Sequence, residues 1–172
     1  MILCEPLPFI SVSQSNENNF LFKENKGQFD KKVNFKSNIS NGNFFLTQTG
    51  FTYSFYDKSR INYNELTNDN YNTLIKCHAV EVEFDNCNTQ FSIQKNKKSS
   101  HYYNYFQGVD STKWATEIFS YNEVVYENIY DDIDFKIYEY QEAIKYDFIV
   151  KPLADVSEIS FRYQGQEKAY RA

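Results

Sequence analysis

The run His78-Ala79-Val80-Glu81-Val82-Glu83-Phe84 alternates residue by residue. His78, Val80, Val82 and Phe84 fall on one side; Ala79, Glu81 and Glu83 fall on the other. A period of two suits an extended strand with one face buried, because successive side chains in a sheet point to opposite faces. The same pattern recurs along the chain. "KKVNFKS" sets Val33 and Phe35 against polar neighbours. "GNFFLTQTGFTYSFYD" predicts a hairpin with Phe44 and Leu46 on its first arm and Phe51, Tyr53 and Phe55 on its second. Gly50 falls between the arms, where a turn needs positive φ. "TQFSIQK" predicts a short strand, and "HYYNYF" and "EIFSYNEVVYENIY" predict further ones. "EISFRYQG" alternates Ile159, Phe161 and Tyr163 against Ser160 and Arg162. The polar stretch "DKSRINYNELTNDNYNTL" predicts a long Asn-rich loop. No segment longer than ten residues keeps a helical period with caps. The expectation is an all-β fold of antiparallel sheets, sandwich-like, with long Asn-rich loops.

The 172 residues are enough for one domain with a sizeable core. We place it at 20–172. Residues 1–19, beginning "MILCEPLPFISVS", read either as a signal-peptide remnant or as a disordered terminus. The segment has no Lys or Arg, Glu5, Pro6 and Pro8 interrupt its apolar run, and Ser11 and Ser13 are small enough for a cleavage site. No apolar run is long enough to span a membrane as a helix.

Net charge is −5 and the basic residues are scattered along the sequence, which argues against a nucleic-acid partner. The one basic run, Lys95 to Lys98, reads as a solvated loop. Cys77 and Cys87 flank a predicted strand whose ends lie roughly 30 Å apart. A disulfide needs Cα atoms within about 7 Å, so that pair does not bond while the strand stays straight. No zinc spacing, P-loop, dinucleotide fingerprint or nucleophile elbow occurs, and no cofactor is expected. Asn38-Ile39-Ser40 matches a glycosylation acceptor, a pattern that occurs often by chance.

"YENIYDDIDFKIYEYQEAIKYDFIVKP" holds Asp131, Asp132, Asp134 and Asp147. These form either a carboxylate site or the polar face of a hairpin. A turn centred on Tyr140 and Gln141 pairs Ile137 with Ile144, Phe135 with Tyr146 and Ile133 with Phe148, collecting the apolar side chains on one face. A one-residue slip would put one arm's set on the wrong side. This register sets Asp134 opposite Asp147 and Lys136 opposite Lys145, and opposed like charges destabilise a sheet. Arg162, outward on the next strand, or a bound cation such as calcium would neutralise the Asp134–Asp147 pair. Asp131 and Asp132 precede the strand as turn residues. His78, on the apolar side of its strand, reads as a satisfied or edge histidine rather than a ligand, and His101 has no Cys or His nearby.

"HYYNYFQGVDSTKW" concentrates Tyr102, Tyr103, Tyr105 and Trp114. Such rings either fill a β core or, if exposed, stack on sugars or fill a protein interface.

The ordered series of motifs resembles a domain near the N-terminus of large secreted or surface proteins of Bacteroidetes-type bacteria. Those proteins often continue into SBBP (β-propeller) repeats, PKD or other Ig-like modules and a C-terminal sorting domain. The series runs through "FKENKGQFDKKVNFKSNISNGNFFLTQTGFTYSFYD", "HAVEVEFDNCN", "NYFQGVDSTKWATEI", "YNEVVYENIYDDIDFKIYEY" and "IKYDFIVKPLADVSEISFRYQG", over about residues 20–165. The resemblance implies export to the cell surface or medium, no assigned catalytic residues, further domains of a longer chain as partners, and further strands beyond residue 172. A truncated chain would leave a sheet edge open to pairing. Two departures stand out. Tyr130-Asp131-Asp132-Ile133-Asp134 replaces Tyr-Pro-Gly-Ile-Asp, and Pro152-Leu153-Ala154-Asp155 replaces Pro-Gly-Ala-Asp. Both missing glycines belong to turns, where other residues are strained.

Three functional expectations follow. The first is a non-catalytic exported β module with a structural or recognition role. The second is a carbohydrate-binding module using Tyr102, Tyr103, Tyr105 and Trp114, with glycans or surface proteins as partners. The third is a hydrolase using Asp134 and Asp147.

Overall fold

The structure, a computed structural model, describes residues 20–56, 77–106 and 114–165. The expected N-terminal segment 1–19 and the Asn-rich loop lie outside the described residues. Among the described residues, ten antiparallel strands form one curled sheet: β1 (Phe22–Glu24), β2 (Val33–Ile39), β3 (Gly42–Thr47), β4 (Gly50–Tyr56), β5 (Cys77–Phe84), β6 (Ser92–Tyr105), β7 (Ala115–Tyr130), β8 (Ile133–Tyr140), β9 (Ala143–Val150) and β10 (Phe161–Gln164). A single 3-10 turn, Val156–Glu158, is the only helical element among the described residues.

The order is β10-β5-β4-β3-β2-β1-β7-β8-β9, with β6 on the other side of β7. β7 is the strand on which the sheet folds over. Tyr121 and Ser120 pair with Phe22 and Lys23 of β1, whereas Glu123 to Tyr130 pair with β8. The β1–β5 arm and the β8–β9 arm therefore leave the same edge of β7 at different heights. They close face to face. Phe84 of β5 meets Phe135 of β8 at 4.8 Å between ring centroids, and Phe51 of β4 meets Tyr146 of β9 at 5.4 Å. Edge-to-face and tilted ring pairs of this kind stabilise a core beyond the area they bury. The alternation read from the sequence sets this core: Phe35, Phe44, Leu46, Phe51, Val82, Phe84, Ile133, Phe135 and Ile137 are all buried. His78 lies at the exposed start of β5, paired with Phe55.

Three local expectations are corrected. Gly50 is the first residue of β4, without positive φ. It is needed because a Cβ there would lie 2.0 Å from the Val82 carbonyl oxygen. "TQFSIQK" and "HYYNYF" belong to one 14-residue strand, β6, so Lys95 to Lys98 lie in a strand and not in a loop. The register slips between Lys98 and Tyr102, and that irregularity hides the strand's continuity in the sequence. Cys77 and Cys87, by contrast, carry separate thiols, as the straight strand after Cys77 leads one to expect.

The β8–β9 hairpin is also displaced. Its turn is Gln141-Glu142, and Ile133 pairs with Val150, Phe135 with Phe148 and Ile137 with Tyr146. Relative to the expected register, each β8 residue meets a partner two positions further along β9. A shift of two keeps every apolar side chain on its face, so alternation excludes odd slips but not this one. Turn geometry decides it. Gln141 and Glu142 adopt φ of 52° and 58°, the left-handed pair of a type I′ turn, without the Asn-Gly that normally marks one.

Candidate functional site

The shift separates the carboxylates. Asp134 lies opposite Ile149, and Asp147 lies opposite Lys136. The expected like-charge pair does not exist, and neither does the two-carboxylate calcium site built on it. Asp134 caps a bulge instead. Between Tyr126 and Tyr130 the β7–β8 register slips, and Asn128 sits at φ 55°. The Asn128 N–H donates to Asp134 Oδ1 at 2.8 Å. Lys151 Nζ then reaches Asp134 at 3.2 Å and donates to Asn128 Oδ1 at 2.8 Å. A bulge takes a backbone N–H out of the ladder, and this carboxylate supplies its acceptor. Asp147 faces Lys136 at 3.9 Å. Arg162 does not reach either carboxylate. β10 pairs with β5, so its guanidinium contacts Asp85 at 2.6 Å and Glu83 at 3.3 Å. Asp131 and Asp132 form the two-residue turn between Tyr130 and Ile133.

The aromatic set fares differently. β6 and the first half of β7 run out as a two-stranded ribbon, with Tyr102 paired to Phe119 and Tyr105 to Ala115. Tyr102 is 55% exposed and Trp114 44%. Phe106, not singled out in the sequence, is 62% exposed and meets Trp114 edge to face at 5.3 Å. Tyr103 and Tyr105 point to the opposite side and are half-buried. Lys23 stands 4.4 Å over the Tyr103 ring, and Phe29 meets Tyr105 at 5.7 Å. The four rings thus split: one side of the ribbon presents open rings, the other a layer of rings and lysines. A second bulge fixes the ribbon. Glu117 has φ 54°, and its N–H donates to Asn104 Oδ1 at 3.0 Å.

Lysines scattered in the sequence gather on both sides of the ribbon: Lys23 and Lys36 on the half-buried side, and Lys98 over Phe119, the partner of Tyr102, on the open one. Lys23 and Lys36 are register partners across β1 and β2. Lys36 lies 5.2 Å from the Phe29 ring centroid, and Lys98 lies 3.3 Å from that of Phe119. Cation–π contacts of this kind keep lysine stems flat on the rings.

The ribbon is tied to the sheet by Glu24, which sequence reasoning missed. Glu24 is on the core-facing side of β1, with Phe22, and is 8% exposed. Its carboxylate takes Lys95 Nζ at 2.9 Å and Lys26 Nζ at 3.4 Å. It also accepts the Phe119 N–H at 3.3 Å and the Tyr121 hydroxyl at 3.5 Å. Burial by itself pushes the Glu24 carboxyl up, but the Lys95 hydrogen bond, the Phe119 N–H and the two ammonium charges together hold it below its ordinary value. The same hydrogen bond raises Lys95. A cleft of about 540 Å³ opens beside this group, lined by Glu24, Asn25, Lys31, Asn34, Phe35 and Lys95. A carboxylate held ionised by two lysines carries no proton to donate near neutral pH and is a weak base, and its hydrogen bonds anchor the ribbon to β1. Its one sequence signal was a charged residue in phase with Phe22 on the buried side of a strand.

The loop after β1 is organised by Asn25. Its Nδ2 donates to the carbonyls of Asp30 and Val33 at 2.8 and 2.7 Å, and its Oδ1 accepts from Gly27 N–H at 2.9 Å. Such side-chain to backbone bonds replace a ladder where the chain turns.

The model of a protein family described as a domain of unknown function (DUF7948) matches residues 22–171, nearly the whole chain, and the chain belongs to that family. No curated protein and no solved structure matches it.

Proposed function

We propose that this domain is a non-catalytic recognition module of an exported or cell-surface protein, and that its contact surface is the open side of the β6–β7 ribbon. The observation that carries the reading is the exposure of Tyr102, Phe106 and Trp114 together at the end of a ribbon. Large rings left open on a rigid β scaffold are what sugar-stacking and protein-docking surfaces use. The carboxylates that would have served a hydrolase have other duties: Asp134 caps a bulge and Asp147 faces Lys136. Export, and continuation into repeat or Ig-like domains, rest on the motif resemblance described above.

Carbohydrate is the ligand class the rings fit first, because a flat aromatic face matches the apolar face of a sugar ring. The test is a glycan array probed with the wild-type domain and with Tyr102→Ala and Trp114→Ala. Binding that both substitutions abolish supports the carbohydrate reading. An array without hits removes sugars and leaves protein as the ligand class. The full-length gene tests export: a coding sequence with no leader and no further domains would overturn it.

A further inference from the structure

Among the described residues the sheet ends in three open edges, and they are not equivalent. β10 is four residues long. β6 is interrupted by a register slip, and Lys97 sits at positive φ. Shortness, bulges and lysines are ordinary protections against edge pairing. β9 has none of the first two. It is eight residues long, pairs with β8 without a slip, and no described strand lies on its other side.

We propose that β9 pairs with β9 of a second copy of this chain, antiparallel about a twofold axis through Tyr146. The hairpin fixes which backbone groups are available. Tyr140 and Ala143 close a two-residue turn, so they exchange both hydrogen bonds. By alternation Lys145, Asp147 and Ile149 also point their backbone groups at β8. Lys151, next in that phase, donates its N–H to Asp132. Ile144, Tyr146, Phe148 and Val150 therefore present N–H and C=O to the open side. A twofold pairing must match these residues with each other.

Charge then selects the register. Centring the axis on Lys145 opposes two lysines, and centring it on Asp147 opposes two aspartates; both are unfavourable. Centring it on Tyr146 places Lys145 opposite the partner's Asp147 and Asp147 opposite the partner's Lys145. These fall at non-hydrogen-bonded positions, where side chains approach most closely. Ile144 then faces the partner's Phe148, and the two Tyr146 rings meet. Tyr146 is on the core-facing side of β9 yet 36% exposed, and Val150 is 40% exposed, so the contact covers core-facing side chains left open at this edge. One strand is self-complementary in both its backbone and its charges, as a twofold interface requires.

The experiment is sedimentation equilibrium of the 172-residue chain. Wild type shows a concentration-dependent monomer–dimer equilibrium. Lys145→Glu and Asp147→Lys each place like charges opposite and weaken dimerisation by about tenfold or more. An equimolar mixture of the two variants dimerises again, because the heterodimer restores both opposite-charge pairs. Asp147→Asn, which keeps the strand's shape, weakens the dimer and lowers its salt dependence. A wild-type chain that stays monomeric over a roughly hundredfold concentration range overturns the proposal. So do charge variants that dimerise as well as wild type, or a mixture no more dimeric than its components.

Discussion

The two halves of β7 behave as different materials. From Val124 to Tyr130 the strand has β8 beside it, and Val124, Tyr126, Ile129 and Tyr130 are buried. Phe135 lies at the centre of this half, fully buried among the rings of Phe51, Phe84, Tyr126, Tyr146 and Phe148. From Ala115 to Phe119 the strand has, among the described residues, only β6 beside it; Ala115 and Ile118 are buried beneath it, while Phe119 faces Tyr102 and Lys98 on the open side. Tyr121 and Ser120, which hold β1, mark the change. The lesson is that one continuous strand is enclosed in the core over one half and leaves one side open over the other, with Glu24 as the fastening between them.

Removing a ring from the scaffold half is the largest expected break. Phe135→Ala leaves a cavity that five other rings cannot fill, and should cost about 3–5 kcal/mol in urea denaturation. If it costs no more than a ribbon substitution, the contrast between the halves is wrong.

Legibility in the sequence follows the same divide. The scaffold half obeys strict alternation, so Ile133, Phe135 and Ile137 read directly as core. The hairpin register did not, because a shift of two preserves faces and the type I′ turn is made by Gln141 and Glu142. The ribbon half carries bulges and a register slip, which break the period on which strand reading depends. The four candidate rings were visible as composition, but the side each one faces was set by those irregularities. Glu24 was hidden because its partners Lys95, Phe119 and Tyr121 are brought to it only by the folding of β6 and β7 onto β1.

Loosening the fastening comes next in size. Glu24→Gln removes a nearly buried charge from two lysines and should cost about 2 kcal/mol, less than a fully buried pair because solvent reaches Lys95. Its pH dependence sharpens the prediction. The folded carboxyl titrates below its ordinary value of 4.5, so its contribution is complete above that value and is lost as pH falls through the lower folded one. Wild type should therefore lose stability in the acid range more steeply than Glu24→Gln, and the two curves should converge at low pH. Parallel curves would mean that Glu24 fastens nothing.

The scaffold half can also be improved. Asp132 and Leu153 occupy the two places where the resembled pattern has glycine, and both have positive φ, 56° and 74°. Leu153 has a fully exposed side chain, so replacing it forfeits no packing. Leu153→Gly should raise stability by about 1 kcal/mol, and Asp132→Gly by less, since Asp tolerates this conformation better. Thermal unfolding of both variants checks the order, and a loss at Leu153 would show that the turn is held by contacts rather than by its φ.

The smallest expected effect on stability is the most informative about function. Tyr102 is 55% exposed, and its described ring contact is with Phe119 across the ribbon. Tyr102→Ala should change unfolding free energy by no more than about 0.5 kcal/mol, as exposed substitutions do. On the proposed reading, the value of this open ring lies in what it touches outside the chain. The same substitution should therefore abolish ligand binding while leaving the denaturation midpoint in place. If instead the midpoint falls as it does for Phe135→Ala, Tyr102 is part of a core, and the open half of β7 is scaffold like the other.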